Sequence, residues 1–110
     1  MFMTGSKFVY IWRYMIRPGR KADFLAAYHS EGDWAELFSR DSNYLKTELL
    51  QDVSDENVFM TIDYWTSESA RNSFRESFAD EFGELDKKCE AFTVSEALIG
   101  DFVVQGGDAT

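Results

Sequence analysis

The sequence of 110 residues predicts an α+β fold, in which a four-stranded antiparallel sheet carries helices on one face. Four segments are rich in β-branched and aromatic residues, and two regions between them have apolar residues at helical spacing. Their order is strand, helix, strand, strand, helix, strand, which is the order of the split βαβ, or ferredoxin-like, arrangement. We expect a single domain over residues 1–110 with its core in residues 7–104.

The first strand is predicted over residues 7–17, whose sequence is KFVYIWRYMIR. β-Branched and aromatic residues dominate this segment, as is typical of strands. Alternation places Tyr10 and Tyr14 on one face and Ile11 and Met15 on the other, so both faces are mainly apolar. Pro18 and Gly19 follow and end the strand with a turn.

Two helical segments are predicted next. The first covers residues 20–29 and ends before Gly32. Asp33 is expected to cap a second, short helix, because Glu36 follows three residues later in the manner of a capping box.

The remaining strands are predicted over residues 44–51, 58–65 and 93–104. The polar and acidic segment DVSDEN joins the first two of them as a hairpin loop. The small, polar residues 105–110 are predicted to form a frayed tail.

A second helical region is predicted to begin at Ser67, which is a favourable N-cap residue. Phe74, Phe78 and Phe82 recur at four-residue spacing and are expected to face the core. Gly83 is expected to kink or divide this region, because glycine weakens a helix interior.

The charge and the rare residue types exclude several classes of function. Asp and Glu number 20 against 11 Lys and Arg, and this net charge of −9 argues against nucleic acid or an anionic membrane as a partner. A single cysteine, Cys89, excludes an intramolecular disulfide and a cysteine-based zinc cluster, and a single histidine, His29, excludes a multi-histidine metal site within one chain. We therefore expect no metal site, and the sequence also has no glycine-rich phosphate loop and no dinucleotide-binding fingerprint.

No apolar stretch approaches the length of a membrane-spanning helix. Near the amino terminus Arg13 and Arg17 interrupt the apolar run, which is unlike a secretory signal peptide. These features predict a cytoplasmic protein.

The two apolar faces of the first strand predict a homodimer. The helices cover one face of the sheet only, and an uncovered second face would leave a large apolar patch in water. A second copy of the same sheet is the simplest cover, so we expect a symmetric dimer packed sheet against sheet.

Several segments resemble the antibiotic biosynthesis monooxygenase group of the dimeric α+β barrel superfamily. They are the first strand with its Arg17-Pro18-Gly19 turn, the helix with Phe24 and Tyr28, the stretch 44–50, and residues 62–70, where a strand ends in Tyr64-Trp65 and a Ser/Glu/Ala helix begins. The resemblance covers residues 7–104 and implies a cavity between the sheet and the helices, lined by aromatic residues. It also implies oxidation of polycyclic phenols without a cofactor, because the deprotonated substrate itself supplies electrons to oxygen.

The polar residues typical of the family are only partly present. Trp65 matches the tryptophan that ends the third strand, whereas the position of the family's first-strand asparagine falls near Trp12 and Arg13. Related haem degraders add a histidine about ten residues after the tryptophan, where this chain has Phe74-Arg75-Glu76. Haem degradation is therefore disfavoured.

Three residues are candidates for catalysis. Trp65 would form a wall for a planar substrate or serve only as a core aromatic. His29 suits proton abstraction from a phenol, although its place near a helix end also suits a surface histidine stabilised by the helix dipole. Asp63, inside an apolar strand, is the other candidate base.

Four residues are candidates for substrate binding: Trp12, Arg13, Tyr28 and Trp34. Arg13 would anchor a phenolate or another anion, or else form a structural ion pair at the dimer interface, with Asp63 and Glu96 of the neighbouring strands as the acidic candidates. Tyr28 would present its hydroxyl group to the cavity.

These residues leave three functions open. The first is a cofactor-independent monooxygenase acting on a small aromatic or quinone-like molecule. The second is a non-catalytic protein that binds a small molecule, and the third is a protein whose cavity is closed by Trp12 and neighbouring aromatic residues.

Overall fold

The computed structural model describes residues 7–105 and confirms the predicted α+β, ferredoxin-like fold. The elements in chain order are β1 (Phe8–Ile16), α1 (Lys21–Tyr28), α2 (Asp33–Phe38), β2 (Tyr44–Gln51), β3 (Val58–Trp65), α3 (Glu68–Ser77), α4 (Ala79–Cys89), a 3₁₀ turn (Glu90–Phe92) and β4 (Thr93–Val103). The predicted tail at residues 105–110 lies outside the described residues, apart from Gln105.

The four strands form one antiparallel sheet in the order β2-β3-β1-β4. Tyr10 of β1 is the register partner of Asp63 in β3, and Tyr14 of β1 is the partner of Glu96 in β4. Residues opposite each other in a sheet share a face, so this register brings both acidic residues to the side of the sheet that the two tyrosines occupy.

The helices pack on that side and build a core dominated by aromatic rings. Phe24 of α1, Trp65 of β3 and Phe74 of α3 are almost fully buried there, with exposed fractions of at most 1%. Edge-on and tilted ring contacts at centroid distances of 5.2–5.6 Å join Trp65 to Phe38, Tyr44 and Phe74. Such pairs contribute about 0.5–1.5 kcal/mol each beyond the burial of their area.

Asp33 does not cap the second helix, contrary to the capping-box prediction. It is the first residue of α2, and Gly32 is the N-cap residue, without a side-chain hydrogen bond. A Cβ atom at Gly32 would lie 2.6 Å from the carbonyl oxygen of Ala26, so only glycine allows the backbone to pass this close to α1. The carboxylate of Asp33 is instead 3.7 Å from Lys88 Nζ.

The second helical region divides at Phe78 and not at Gly83. Phe78 has non-helical backbone angles (φ −116°, ψ 31°), while its ring stacks on Phe74 at a centroid distance of 4.8 Å. The break therefore occurs where an aromatic side chain is held against the core, and Gly83 lies inside α4. The predicted cap is confirmed, since the backbone N–H of Ala70 donates to Ser67 Oγ at 3.1 Å.

The face of the sheet opposite the helices carries apolar side chains with little cover. Ile11 and Met15 of β1 are only partly buried, and so are Met60 and Ile62 of β3. Phe102 at one side of this face is 44% exposed. Among the described residues, no helix has the length and apolar character needed to cross a membrane.

Candidate functional site

A cavity of about 260 Å³ lies between the sheet and the helices. Its walls combine aromatic rings with a small set of polar and charged groups. The lining residues are Tyr10, Trp12, Tyr14, Tyr28, Trp34, Phe38, Thr47, Thr61, Asp63, Arg75, Phe82, Asp86 and Glu96. A concave site with apolar walls and a few placed polar groups is typical of small-molecule binding.

Asp63 is the buried acid of this cavity, and it ends a chain of hydroxyl groups. Thr47 Oγ1 donates a hydrogen bond of 2.5 Å to Asp63 Oδ1, and the Tyr44 hydroxyl lies 2.7 Å from Thr47 Oγ1. Thr47 has a single O–H, so while it donates to Asp63 it accepts from Tyr44. These hydrogen bonds connect Asp63, which is 5% exposed, to the half-buried Tyr44.

Burial raises the pKa of Asp63 to about 7. The hydrogen bond from Thr47 and the positive charge of Arg75 act in the opposite direction, but the loss of hydration outweighs both. A carboxyl group with such a pKa exchanges its proton near neutral pH, which is what a general base or acid requires.

Arg75 of α3 brings a positive charge to the same part of the cavity. Its guanidinium carbon lies 5.5 Å from the ring centroid of Tyr10 and 5.2 Å from that of Phe82. The Nε atom is buried and has no hydrogen-bond partner among the described residues.

The tyrosines of the cavity remain neutral hydrogen-bonding groups. Tyr14 shares a hydrogen bond of 3.3 Å with Thr61 Oγ1, and the ring of Tyr28 stacks on Phe24 at 4.4 Å. Burial raises the pKa of Tyr10, Tyr14 and Tyr28 well above the usual range. Their hydroxyl groups can therefore orient a polar ligand without carrying charge.

Two further carboxyl groups, Asp86 of α4 and Glu96 of β4, line the cavity. Partial burial raises the pKa of Glu96, and the negative charges of Asp86 and Glu90 raise it further. A hydrogen bond of 3.1 Å from Thr93 Oγ1 acts in the opposite direction. Acidic groups thus cluster around Glu96, whereas Asp63 interacts with the positive charge of Arg75, which lowers the pKa of its carboxyl group.

Comparison with known proteins identifies the family of the chain. The sequence model described as antibiotic biosynthesis monooxygenase matches residues 8–88, which is most of the chain. The chain belongs to the antibiotic biosynthesis monooxygenase family. The resemblance seen in the sequence is thereby confirmed. A comparison with curated protein sequences gives no match.

Several solved structures share the fold of this chain. SnoaB from Streptomyces nogalater, described as a cofactor-independent oxygenase, superposes with a TM-score of 0.74 at 20% identity, and the match covers 96% of this chain and 99% of SnoaB. PA3566 from Pseudomonas aeruginosa gives a TM-score of 0.63 at 15% identity over 96% and 100% of the two chains. NE2512 from Nitrosomonas europaea, a protein of unknown function, gives 0.67 at 16% over 96% and 95%. At these identities the likeness shows the fold.

The structure brings four of the predicted site residues together in the cavity of this family member. Asp63, Trp12, Tyr28 and Trp34 all line it. Trp12 is only partly buried, and it stacks against Tyr14 at a centroid distance of 6.5 Å. Since about 260 Å³ remains free, Trp12 does not close the cavity, contrary to the third hypothesis.

Trp65, His29 and Arg13 do not line the cavity. Trp65, the residue that matches the family's tryptophan, is completely buried within the aromatic core. His29 is exposed at the end of α1, where its Nδ1 accepts a hydrogen bond of 3.1 Å from the backbone N–H of Glu31. The structure therefore places Trp65 in the core and His29 on the surface, and neither residue contributes to the wall of the cavity.

Arg13 is exposed on the opposite face of the sheet. Its register partners are Met60 and Ala97, whereas Asp63 and Glu96 are paired with Tyr10 and Tyr14 on the helix side. Within one chain Arg13 cannot pair with either acid, because the sheet separates the groups. For the same reason the side chain of Arg13 lies outside the cavity.

Arg75 and Thr47 are the principal site residues that the sequence analysis did not select. Thr47 looks like an ordinary strand residue until the register places it opposite Asp63. Arg75 occupies the stretch where haem degraders of related fold have a histidine, and this coincidence was the one available signal.

Proposed function

We propose that this protein is a cofactor-independent monooxygenase that oxidises a small hydroxylated aromatic compound in the cavity. The observation that carries the proposal is that the carboxyl group of Asp63 is buried in the wall of an aromatic cavity. Its pKa of about 7 suits proton abstraction. The family membership supports the class of reaction, and the similar fold of SnoaB, described as a cofactor-independent oxygenase, supports the absence of a cofactor.

In the proposed reaction Asp63 removes the proton of an aromatic hydroxyl group. The resulting phenolate is electron-rich and transfers electrons to O₂, one atom of which forms a bond to a ring carbon. The substrate loses its hydroxyl proton and one ring hydrogen and gains one oxygen atom, while the second oxygen atom leaves as water. The four-electron reduction of O₂ thus balances a four-electron oxidation of the substrate.

The aromatic walls hold the planar substrate, and the tyrosine hydroxyl groups orient it. Trp12, Tyr28 and Trp34 would contact the ring system, and the support for this is that they line the same cavity as Asp63. The hydroxyl chain through Thr47 to Tyr44 gives the proton received by Asp63 a route towards the surface. Positioning and proton removal are the protein's contributions, and general base catalysis alone accelerates reactions about 10²–10⁴-fold.

The test is oxygen uptake with a panel of hydroquinones, anthrones and flavonoid-like phenols. With a substrate that is turned over, Asp63→Asn should lower kcat about 100-fold or more while keeping the size of the side chain. His29→Ala, which changes the exposed histidine, is the matched control and should leave the rate within twofold of the wild type. Equal rates for Asp63→Asn and the wild type would exclude Asp63 as the base.

The second candidate function is non-catalytic binding of a small aromatic molecule. It is favoured by the position of Trp65, since the tryptophan that matches the family lies in the core and the first-strand asparagine is missing. Saturable quenching of tryptophan fluorescence by members of the panel, without oxygen uptake from any of them, would favour this function.

We also propose that the functional unit is a homodimer. The argument is the apolar face of the sheet, where Ile11, Met15, Met60 and Ile62 lie side by side and are only partly buried by the described residues. A twofold symmetric contact between two such faces buries the same residues on both chains.

A further inference from the structure

We infer that Arg75 forms an anion-binding subsite, so that the preferred ligand is a compact aromatic molecule with a carboxylate or another anionic oxygen. The inference deepens the proposed function and rests on it only in assuming that the cavity is where the ligand binds. It adds the substrate class, which the family membership leaves open.

The first argument is the unused hydrogen-bonding capacity of Arg75. Its Nε–H is buried without a partner, and no carboxylate oxygen of the described residues lies within 4 Å of the guanidinium group. Leaving a buried donor unpaired lowers stability, and more so when the donor is charged. A ligand oxygen that accepts from Nε recovers this cost when it binds.

The second argument is the way in which the guanidinium group is held. The rings of Tyr10 and Phe82 lie within 5.5 Å of its central carbon and restrict its motion. Guanidinium groups stacked on aromatic rings keep their planar face occupied, while their N–H edge stays available for carboxylates. Little side-chain entropy then remains to be lost on binding.

Arg71, one turn earlier in the same helix, is an arginine whose stacking rings, carboxylate partner and hydrogen-bond acceptor all come from the chain itself. Its guanidinium carbon lies 5.0 Å from the ring centroid of Phe8 and 4.8 Å from that of Tyr10. Arg71 also has a carboxylate partner, Asp101, at 3.5 Å, and donates a hydrogen bond to Asn72. Arg75 shares the stacking on Tyr10 and also interacts with the hydroxyl group of that tyrosine, but it has no carboxylate partner among the described residues. A ligand carboxylate can take that place.

The third argument is the distribution of acidic groups around the cavity. Asp63 is close enough to Arg75 for the two charges to interact. Burial favours the neutral form of Asp63, however, and in that form Asp63 does not balance the positive charge of Arg75. Asp86 and Glu96 repel an anion from their own part of the wall. A ligand anion is thereby directed to Arg75, which places the ring system of the ligand beside Asp63.

The experiment compares two ligands of similar size, 1-hydroxy-2-naphthoate, which carries a carboxylate, and 1-naphthol, which does not. Binding is measured by calorimetry without oxygen, so the result does not depend on turnover. The wild type should bind the naphthoate about tenfold or more tightly than the naphthol, as expected for a charge-assisted hydrogen bond. Arg75→Gln should abolish this preference while changing the affinity for 1-naphthol less than threefold.

Two more variants make the result specific. Arg75→Lys, which retains the positive charge without the guanidinium fork, should keep part of the preference. Arg40→Gln removes an exposed arginine outside the cavity and should keep all of it. Thermal unfolding of each variant identifies any that does not fold.

Equal affinity of the wild type for both ligands, a preference that survives in Arg75→Gln, or no binding of the naphthoate at millimolar concentration would overturn the inference. The failure of the proposed function gives a different pattern. No oxygen uptake with any phenol, together with naphthoate binding that depends on Arg75, would exclude the monooxygenase and leave the anion subsite in place.

Discussion

Thr47 and Asp63 are register partners on neighbouring strands, and the 2.5 Å hydrogen bond between their side chains links strand pairing to the chemistry of the cavity. Side chains alternate between the faces of a sheet, so a slip of one residue in either strand would turn its member of this pair to the other face. The bond also competes with burial in setting the acidity of Asp63.

The raised pKa of Asp63 predicts a stability that depends on pH. Burial raises the pKa from 3.8 to about 7, so between these values the folded chain holds a proton that the unfolded chain has released. The free energy of unfolding should therefore fall as the pH rises from 4 to 7, with each pKa unit worth about 1.4 kcal/mol. Urea denaturation at pH 5 and pH 7 measures this fall. In Asp63→Asn the part of the fall caused by Asp63 should be absent, so the variant should be more stable relative to the wild type at pH 7 than at pH 5. An identical change in both proteins would contradict the prediction.

Thr47→Val should shift the acidic limb of the pH–activity profile to higher pH. The substitution removes the hydrogen bond that favours the charged form of Asp63, so the pKa of that carboxyl group should rise by about one unit. Oxygen uptake measured between pH 5 and pH 9 with a substrate that is turned over reports the shift. Thr61→Val is the matched control, because Thr61 is also buried and lines the cavity but bonds to Tyr14. Its acidic limb should stay where it is in the wild type.

Trp65→Phe should affect stability and leave ligand affinity unchanged. Trp65 is completely buried against Phe38, Tyr44 and Phe74 and does not line the cavity, so a smaller ring leaves a void in the core. We expect a loss of about 1–3 kcal/mol in the free energy of unfolding. Trp12→Phe, at a cavity wall, should show the reverse pattern in parallel denaturation and calorimetric titrations. A large loss of affinity in Trp65→Phe with unchanged stability would refute this assignment.

Ile62→Lys should separate the proposed dimer into single chains. Ile62 lies next to its register partner Ile11 on the open face of the sheet, and a lysine there would place a charge inside the apolar contact. Sedimentation at micromolar concentration should give twice the chain mass of 12.7 kDa for the wild type and 12.7 kDa for the variant. Ser73→Lys, an exposed position on α3, is the control for the added charge and should remain dimeric. A wild-type mass of 12.7 kDa would exclude the dimer.

The fold could be predicted from local sequence patterns because strand and helix periodicities are local properties. The predicted strand at residues 58–65 matches β3 at both ends, and Ser67 caps α3 as predicted. The break between α3 and α4 was assigned to Gly83, although it lies at Phe78. Glycine permits a break but does not require one, whereas the packing of Phe78 on Phe74 depends on contacts that local sequence does not reveal.

The candidate site was predicted only in part, for a related reason. Asp63 stood out because an acid inside an apolar strand needs an explanation, and it does line the cavity. Arg13 stood out on the same ground, yet it is exposed on the other face of the sheet. Alternation shows that Arg13 shares a face with Ile11 and Met15, but it does not show which face the helices cover.

The sequence by itself determined the α+β fold and its aromatic core, because these follow from composition and periodicity along the chain. It also determined the family, through the segments that match the family's sequence model. The tertiary structure alone decided which charged groups meet in the cavity. Strand register placed Thr47 against Asp63. Helix packing brought Arg75 to the same cavity, with no hydrogen-bond partner for its Nε–H in the part of the chain that the structure describes. Burial of Asp63 and the stacking of Arg75 depend on residues distant in the sequence, so the properties proposed for this site arise only on folding.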